Sequence, residues 1–298
     1  MDSFSDYTAR ALVPEHLAHY VLSLSFCTPL RIDDFLAWKA GSSLILVGYP
    51  REERDFFSET SDIRARVARA SSGLDRAIAK ALELANVDTV TVLAPARPTN
   101  LPQNAQVHED MYQGLALENL HLSGKLANML RRAERDIVIE TGSAWSREHD
   151  VLLANAVTLM RKRPGERQLS SDSALLFSRM PNLVRQNPGN IVLYSARRRD
   201  NQALAGLVVG DHASYTTSFY LFALKTPDAP PGTADALLNA FLQNSLALGQ
   251  VRCNLGLSIN EGIRFFKGKW GALPWFPLFE CSFKKPQKGF FARLFGRS

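Results

Sequence analysis

Between Asn190 and Phe283 the hydrophobic pattern changes period in a set order, and this constrains the fold of the 298-residue chain more than any other feature. NIVLYSARRRDNQALAGLVVGD holds two apolar stretches around a polar turn at Arg198 to Gln202, the pattern of a hairpin. SYTTSFYLFAL, Ser214 to Leu224, is β-branched and aromatic enough for a third strand. The proline-rich KTPDAPPG then leads into TADALLNAFLQNSLALG, which sets Leu238, Phe241, Leu242 and Ser245 on one side of a helix and ends at Gly249. VRCNLGLS and WFPLFECSF follow as strands. Three strands, a crossover helix and further strands make a mostly antiparallel sheet with the helix packed against it.

The first 140 residues mix α and β. Spacing predicts helices over 14–25, 32–39 and 74–86, the last with Ile78, Leu82 and Ala85 on one face. In SGKLANMLRRAERD, Ser123 is the expected N-cap and Leu126, Leu130 and Ala133 share a face, leaving Lys125, Arg131, Arg132 and Arg135 on the rest of the surface. Strands are expected over 43–50, 89–95 and 106–117 and at IVIE. A composition shift at Thr141 to Ser146 suggests an N-terminal α/β half, 1–140, and a C-terminal domain, 141–285, opening with a helix over 147–161 and a polar loop through Pro164 and Gly165. The expected class is α+β: mixed, mostly antiparallel sheets flanked by helices.

Charge and thiols narrow the function. The net charge is +6, and between Val151 and Gly210 nine Arg or Lys stand against three acids, which favours an anionic partner such as tRNA, a nucleotide or a phospholipid, or else a solvated basic surface. Cys27, Cys253 and Cys281 lack metal-ligand spacing, so neither a metal site nor a disulfide framework is expected. No apolar run approaches the roughly 18 residues a spanning helix needs, and MDSFSDYTAR shows no signal pattern, so a cytoplasmic location is expected. In residues 286–298, Phe291, Leu294 and Phe295 make an apolar stripe among cations, the pattern of an interfacial anchor on the inner membrane face.

The strand–helix order resembles the second half of a GNAT-type acyltransferase domain. NLGLSINEGIRFFKGKWGALP is similar to the closing segment of the Fem-type aminoacyltransferases, peptidoglycan interpeptide-bridge enzymes built of two tandem GNAT-like halves: Gly262, Ile263, Phe265 or Phe266, Lys267, Trp270 and Gly271 match that string. The resemblance implies acyl or aminoacyl transfer from aminoacyl-tRNA or acyl-CoA, with no tightly bound cofactor, to an amine acceptor that is lipid-linked or nucleotide-linked. It departs from the superfamily at the start of the long helix. The expected paired glycines of a phosphate loop are replaced by PPGTADALL, with one glycine and an acidic Asp235.

The candidate residues follow from that resemblance. Lys267 is the candidate stabiliser of a tetrahedral oxyanion, and a solvated lysine is the alternative; Tyr220 is a second catalytic candidate. Arg264, Lys269, Trp270 and Asn260 are candidates for substrate binding, and Gly232, Thr233 and Ala234 for donor binding at the helix start. His149 invites a general-base reading, but its neighbours Glu148 and Asp150 point elsewhere on a helix. Alternatives are an acetyl-CoA-dependent N-acetyltransferase and a non-catalytic module of the same fold holding an anionic ligand or RNA.

Overall fold

The structure is a computed structural model describing residues 3–51, 73–162 and 169–285; the basic tail expected at 286–298 lies outside the described residues. The strands are β1 (Thr28–Ile32), β2 (Phe35–Ala40), β3 (Ser43–Val47), β4 (Thr89–Ala94), β5 (Gln106–Ala116), β6 (Ile137–Gly142), β7 (Ile191–Arg198), β8 (Leu204–Asp211), β9 (Thr217–Lys225), β10 (Arg252–Leu257) and β11 (Leu273–Lys284). The helices are α1 (Ser3–Ala9), α2 (Ala18–Leu24), α3 (Leu74–Glu83), α4 (Gly124–Asp136), α5 (Arg147–Arg161), α6 (Ser171–Gln186), α7 (Thr233–Ala247) and α8 (Glu261–Lys269). The chain divides into two compact units, one of Met1–Phe26, Arg51–Glu53 and Asp110–Phe276, the other of Cys27–Pro50, Arg54–Glu109 and Pro277–Ser298. Residues 141–146 fall inside the first.

In the second unit β1, β2 and β3 form an antiparallel meander, α3 crosses over, β4 lies parallel to β3, and Phe279–Lys284 of β11 pair antiparallel with β4. Leu44, Leu46, Ala77, Ile78, Val90, Val92 and Cys281 fill its core. The helix expected over 32–39 is instead the β1–β2 hairpin, turned at Asp33 with φ +53°. Phe35, Leu36, Ala37 and Trp38 are all buried, and a strand covered on both faces shows no alternation to distinguish it from a helix.

The first unit repeats that order. β6, β7, β8 and β9 are antiparallel neighbours, α7 crosses over, β10 runs parallel to β9 from Arg252 to Asn254, and β5 pairs antiparallel with β10. Alternation along β8 serves two helical layers: Val208 packs in the α4 and α7 core with Leu126, Leu130 and Phe241, while Leu207 and Val209 join the α5 and α6 core with Leu153, Met180 and Leu183. α6 has no counterpart in the sequence expectations; it begins at the Ser170 N-cap and carries Pro181 in its interior. Residues 14–25, expected as one helix, are a 3-10 turn at Pro14–His16 and then α2, separated by Leu17 in extended conformation. Gly114 belongs in β5 because a Cβ there would lie 1.9 Å from the Trp275 ring.

Candidate active site

The opening residues of β10 are regular, and the site begins where that regularity stops. Asn254 turns its side chain inward, donating to the Leu12 carbonyl at 2.9 Å and accepting the Gly256 N–H at 2.8 Å. The register against β5 shifts between Asn254 and Leu257, and Gly256 takes φ +77°, a conformation open to glycine at no steric penalty. Beyond it, Asp110 of β5 accepts the backbone N–H of Ser258 at 3.1 Å and of Ile259 at 3.2 Å. Ile259 is held at φ +51°, a genuine outlier for a β-branched residue, and its side chain is exposed.

Asn260 to Pro274, the connection between the strands expected at VRCNLGLS and WFPLFECSF, is chiefly the helix α8. Asn260 caps it by accepting the Ile263 N–H at 3.0 Å, Glu261 sits in its first turn, Lys267 and Lys269 sit in its last, and Gly271 follows at φ +83°. Cap, acid and base placement all agree with the helix dipole. This order turns Lys267 inward: the residue is 6% exposed, and its Nζ donates to the Leu257 carbonyl at 2.5 Å. That is its one hydrogen bond among the described residues, leaving two of three N–H donors without a protein partner. A Cβ at Gly256 would stand 3.9 Å from Nζ, so glycine keeps the space beside the ammonium clear.

Burial lowers the Lys267 pKa to about 8, against the opposing pull of the Asp110 carboxylate, so the ammonium form still dominates at pH 7. The Cys253 thiol itself is pushed up by burial, with hydrogen bonding to Ser218 opposing, and stays neutral. Tyr220 of β9 belongs to the same neighbourhood, since its carbonyl lies 3.9 Å from the Gly256 Cβ position and its ring meets Phe241 edge to face at 5.5 Å. Burial raises its phenol pKa, so it is a proton donor at neutral pH.

The remaining sequence candidates separate. Lys269 and Trp270 both turn to Asp235 in the first turn of α7: Lys269 Nζ lies 2.6 Å and Trp270 Nε1 3.0 Å from the same carboxylate oxygen. Neither is presented to a ligand as expected, because a buried carboxylate must be matched locally. Gly232, at φ +87°, abuts Met129 and Ala133 of α4; Thr233 is buried with its hydroxyl on the Pro230 carbonyl at 2.7 Å, and Ala234 is half-buried. The α7 start therefore carries its own anion and is covered at Gly232 by α4. Arg264 is exposed on α8, as is Phe265.

His149 is structural. Its Nδ1 accepts the Ser146 backbone N–H at 3.0 Å, so the proton resides on Nε2, which donates to Ser195 Oγ at 2.9 Å and cannot take a proton from it. Asp110, Asp235 and Gly256 escaped sequence reasoning as site residues. Asp235 was visible as an acid where a phosphate loop is expected, whereas Asp110 and Gly256 gave no local signal.

No family model matches the chain, and no curated protein matches it. Solved structures do. L-PGS from Bacillus licheniformis is 15% identical over 94% of this chain and 92% of that one, with a TM-score of 0.54. The C-terminal domain of a protein from Agrobacterium fabrum named a lysylphosphatidylglycerol synthetase is 13% identical over 97% and 92%, with a TM-score of 0.56. FemX is 11% identical over 99% and 97%, with a TM-score of 0.53. At such identities the likeness is one of fold. The class it defines is the GNAT-like fold of Fem type that the sequence resemblance implied, and each unit's meander, crossover helix and parallel strand follow the same plan.

Proposed function

We propose that the chain is an acyltransferase that forms an amide between an activated acyl or aminoacyl ester and an amine acceptor. One observation carries this reading: the buried Lys267 ammonium, with two free donors, at the irregular end of β10. The acceptor amine adds to the ester carbonyl, the oxygen gains the charge of a tetrahedral intermediate, and Lys267 donates to that oxygen more strongly than to the neutral carbonyl. Collapse breaks the bond to the alcohol leaving group. The proton lost by the amine ends on that alcohol, and the Tyr220 phenol is the candidate to relay it.

Asp235 in the first turn of α7 supports aminoacyl-tRNA over acyl-CoA as donor, because a buried carboxylate beside that helix start opposes a pyrophosphate there. An acceptor linked to an anionic lipid is supported by the name of the Agrobacterium neighbour. The test supplies purified protein with radiolabelled aminoacyl-tRNA or acetyl-CoA and an amine-bearing acceptor. Lys267→Ala should lower the rate about 10²- to 10³-fold, the usual loss for one oxyanion donor. Tight coenzyme A binding that is insensitive to salt would overturn the donor preference. A second reading, a non-catalytic module of the same fold, is favoured by the self-filled α7 start; it prevails where no donor gives transfer and Lys267→Ala changes nothing.

A further inference from the structure

Four members of the basic excess that the sequence shows are already engaged. Arg197 bridges Glu140 and Glu148, Arg198 pairs with Asp228, Arg199 donates to the Glu134 carbonyl, and Arg179 donates to the Leu24 carbonyl. α4 is different. Asn128, Arg131, Arg132 and Arg135 recur at spacings of three and four and share one open surface of the helix. Arg131 bonds only to Asn128, and none of the three arginines makes an ion pair among the described residues. Lys125 extends the row by one turn, and all of these side chains are exposed. Arg131 and Arg135 stand four residues apart and Arg132 and Arg135 three, so like charges crowd one stretch of the helix.

From this row we infer an RNA-binding surface on α4, which grips phosphodiester groups through Arg131, Arg132 and Arg135. Planar guanidiniums free of internal acids are the donors that phosphate oxygens select. A membrane surface fits worse: interfacial helices insert an apolar face beside their cations, whereas the apolar face of α4, Leu126, Leu130 and Ala133, is buried in the core. The surface goes beyond the proposed transfer reaction and holds whether or not the RNA carries the acyl group.

The full chain is titrated by fluorescence anisotropy against deacylated bulk tRNA, and by co-sedimentation against vesicles containing phosphatidylglycerol. Three phosphate contacts should contribute a slope of about −2 to −3 to log K against log salt, so raising salt from about 50 to about 200 mM weakens binding about 15- to 65-fold through these contacts. The variant Arg131→Gln/Arg132→Gln/Arg135→Gln should lose that slope and at least tenfold in affinity, with unchanged circular dichroism. Arg132→Gln alone should show a smaller loss of the same kind if the triple variant is unstable. Arg198→Gln, which removes an engaged arginine, should bind as wild type. Equal affinity in wild type and triple variant, or binding to vesicles without binding to tRNA, or to neither, overturns the inference. Failure of acyl transfer with intact RNA binding would remove the reaction and leave this surface standing.

Discussion

Lys267 shows how a single buried cation can cost stability. Its pKa falls from 10.5 to about 8, a difference equivalent to about 3 kcal/mol of unfavourable burial. Because the folded-state value lies below the unfolded one, this cost is fully present below about pH 8 and fades as pH rises toward 10.5. Lys267→Met should therefore raise the unfolding free energy at pH 7 by about 1–3 kcal/mol, with the gain shrinking toward pH 10; denaturant titrations at both pH values check this. Transfer activity should show a falling limb near pH 8 as the ammonium deprotonates, and Lys267→Arg should move that limb to higher pH if the variant keeps activity. The lysine was visible in the sequence as a motif member. Its burial was not, because only the helical phase of α8, set by the Asn260 cap, turns it inward.

At the scale of elements, one glycine and one cap make separable contributions. Gly114→Ala should destabilise by about 1–3 kcal/mol or more, since the new Cβ would overlap the Trp275 ring, and a lowered thermal midpoint would report it. Ser123→Ala should cost about 1 kcal/mol by removing the acceptor of the Leu126 N–H at the start of α4. It should leave the affinity for RNA nearly unchanged, because the arginine row lies further along the helix. α4 was legible in full from its cap and its spacing. β2 was not, since burial on both faces erased the period that identifies a strand, and α6 was missed with a proline in its interior.

Across the whole molecule, each unit is completed by segments distant in sequence. The β10 partner in the first unit comes from Tyr112–Ala116, and the β4 partner in the second from Phe279–Lys284. A fragment of residues 141–285 should therefore lack cooperative unfolding in thermal circular dichroism, because it leaves a long β10 edge without its ladder partner and omits α4 from the α7 core. A cooperative transition with native-like midpoint would contradict this. The sequence by itself determined the mixed, mostly antiparallel class and the helix and strand order from Asn190 through Leu257, because period and turn chemistry are local properties. It also placed the four cations on the outer face of α4. Tertiary structure alone decided that Lys267 is buried beside Gly256, that Asp235 occupies the α7 start, and that the arginines of β7 are paired with acids while those of α4 make no ion pair among the described residues. Those outcomes depend on which distant backbone carbonyls and carboxylates folding brings within hydrogen-bond reach, and no local pattern encodes that.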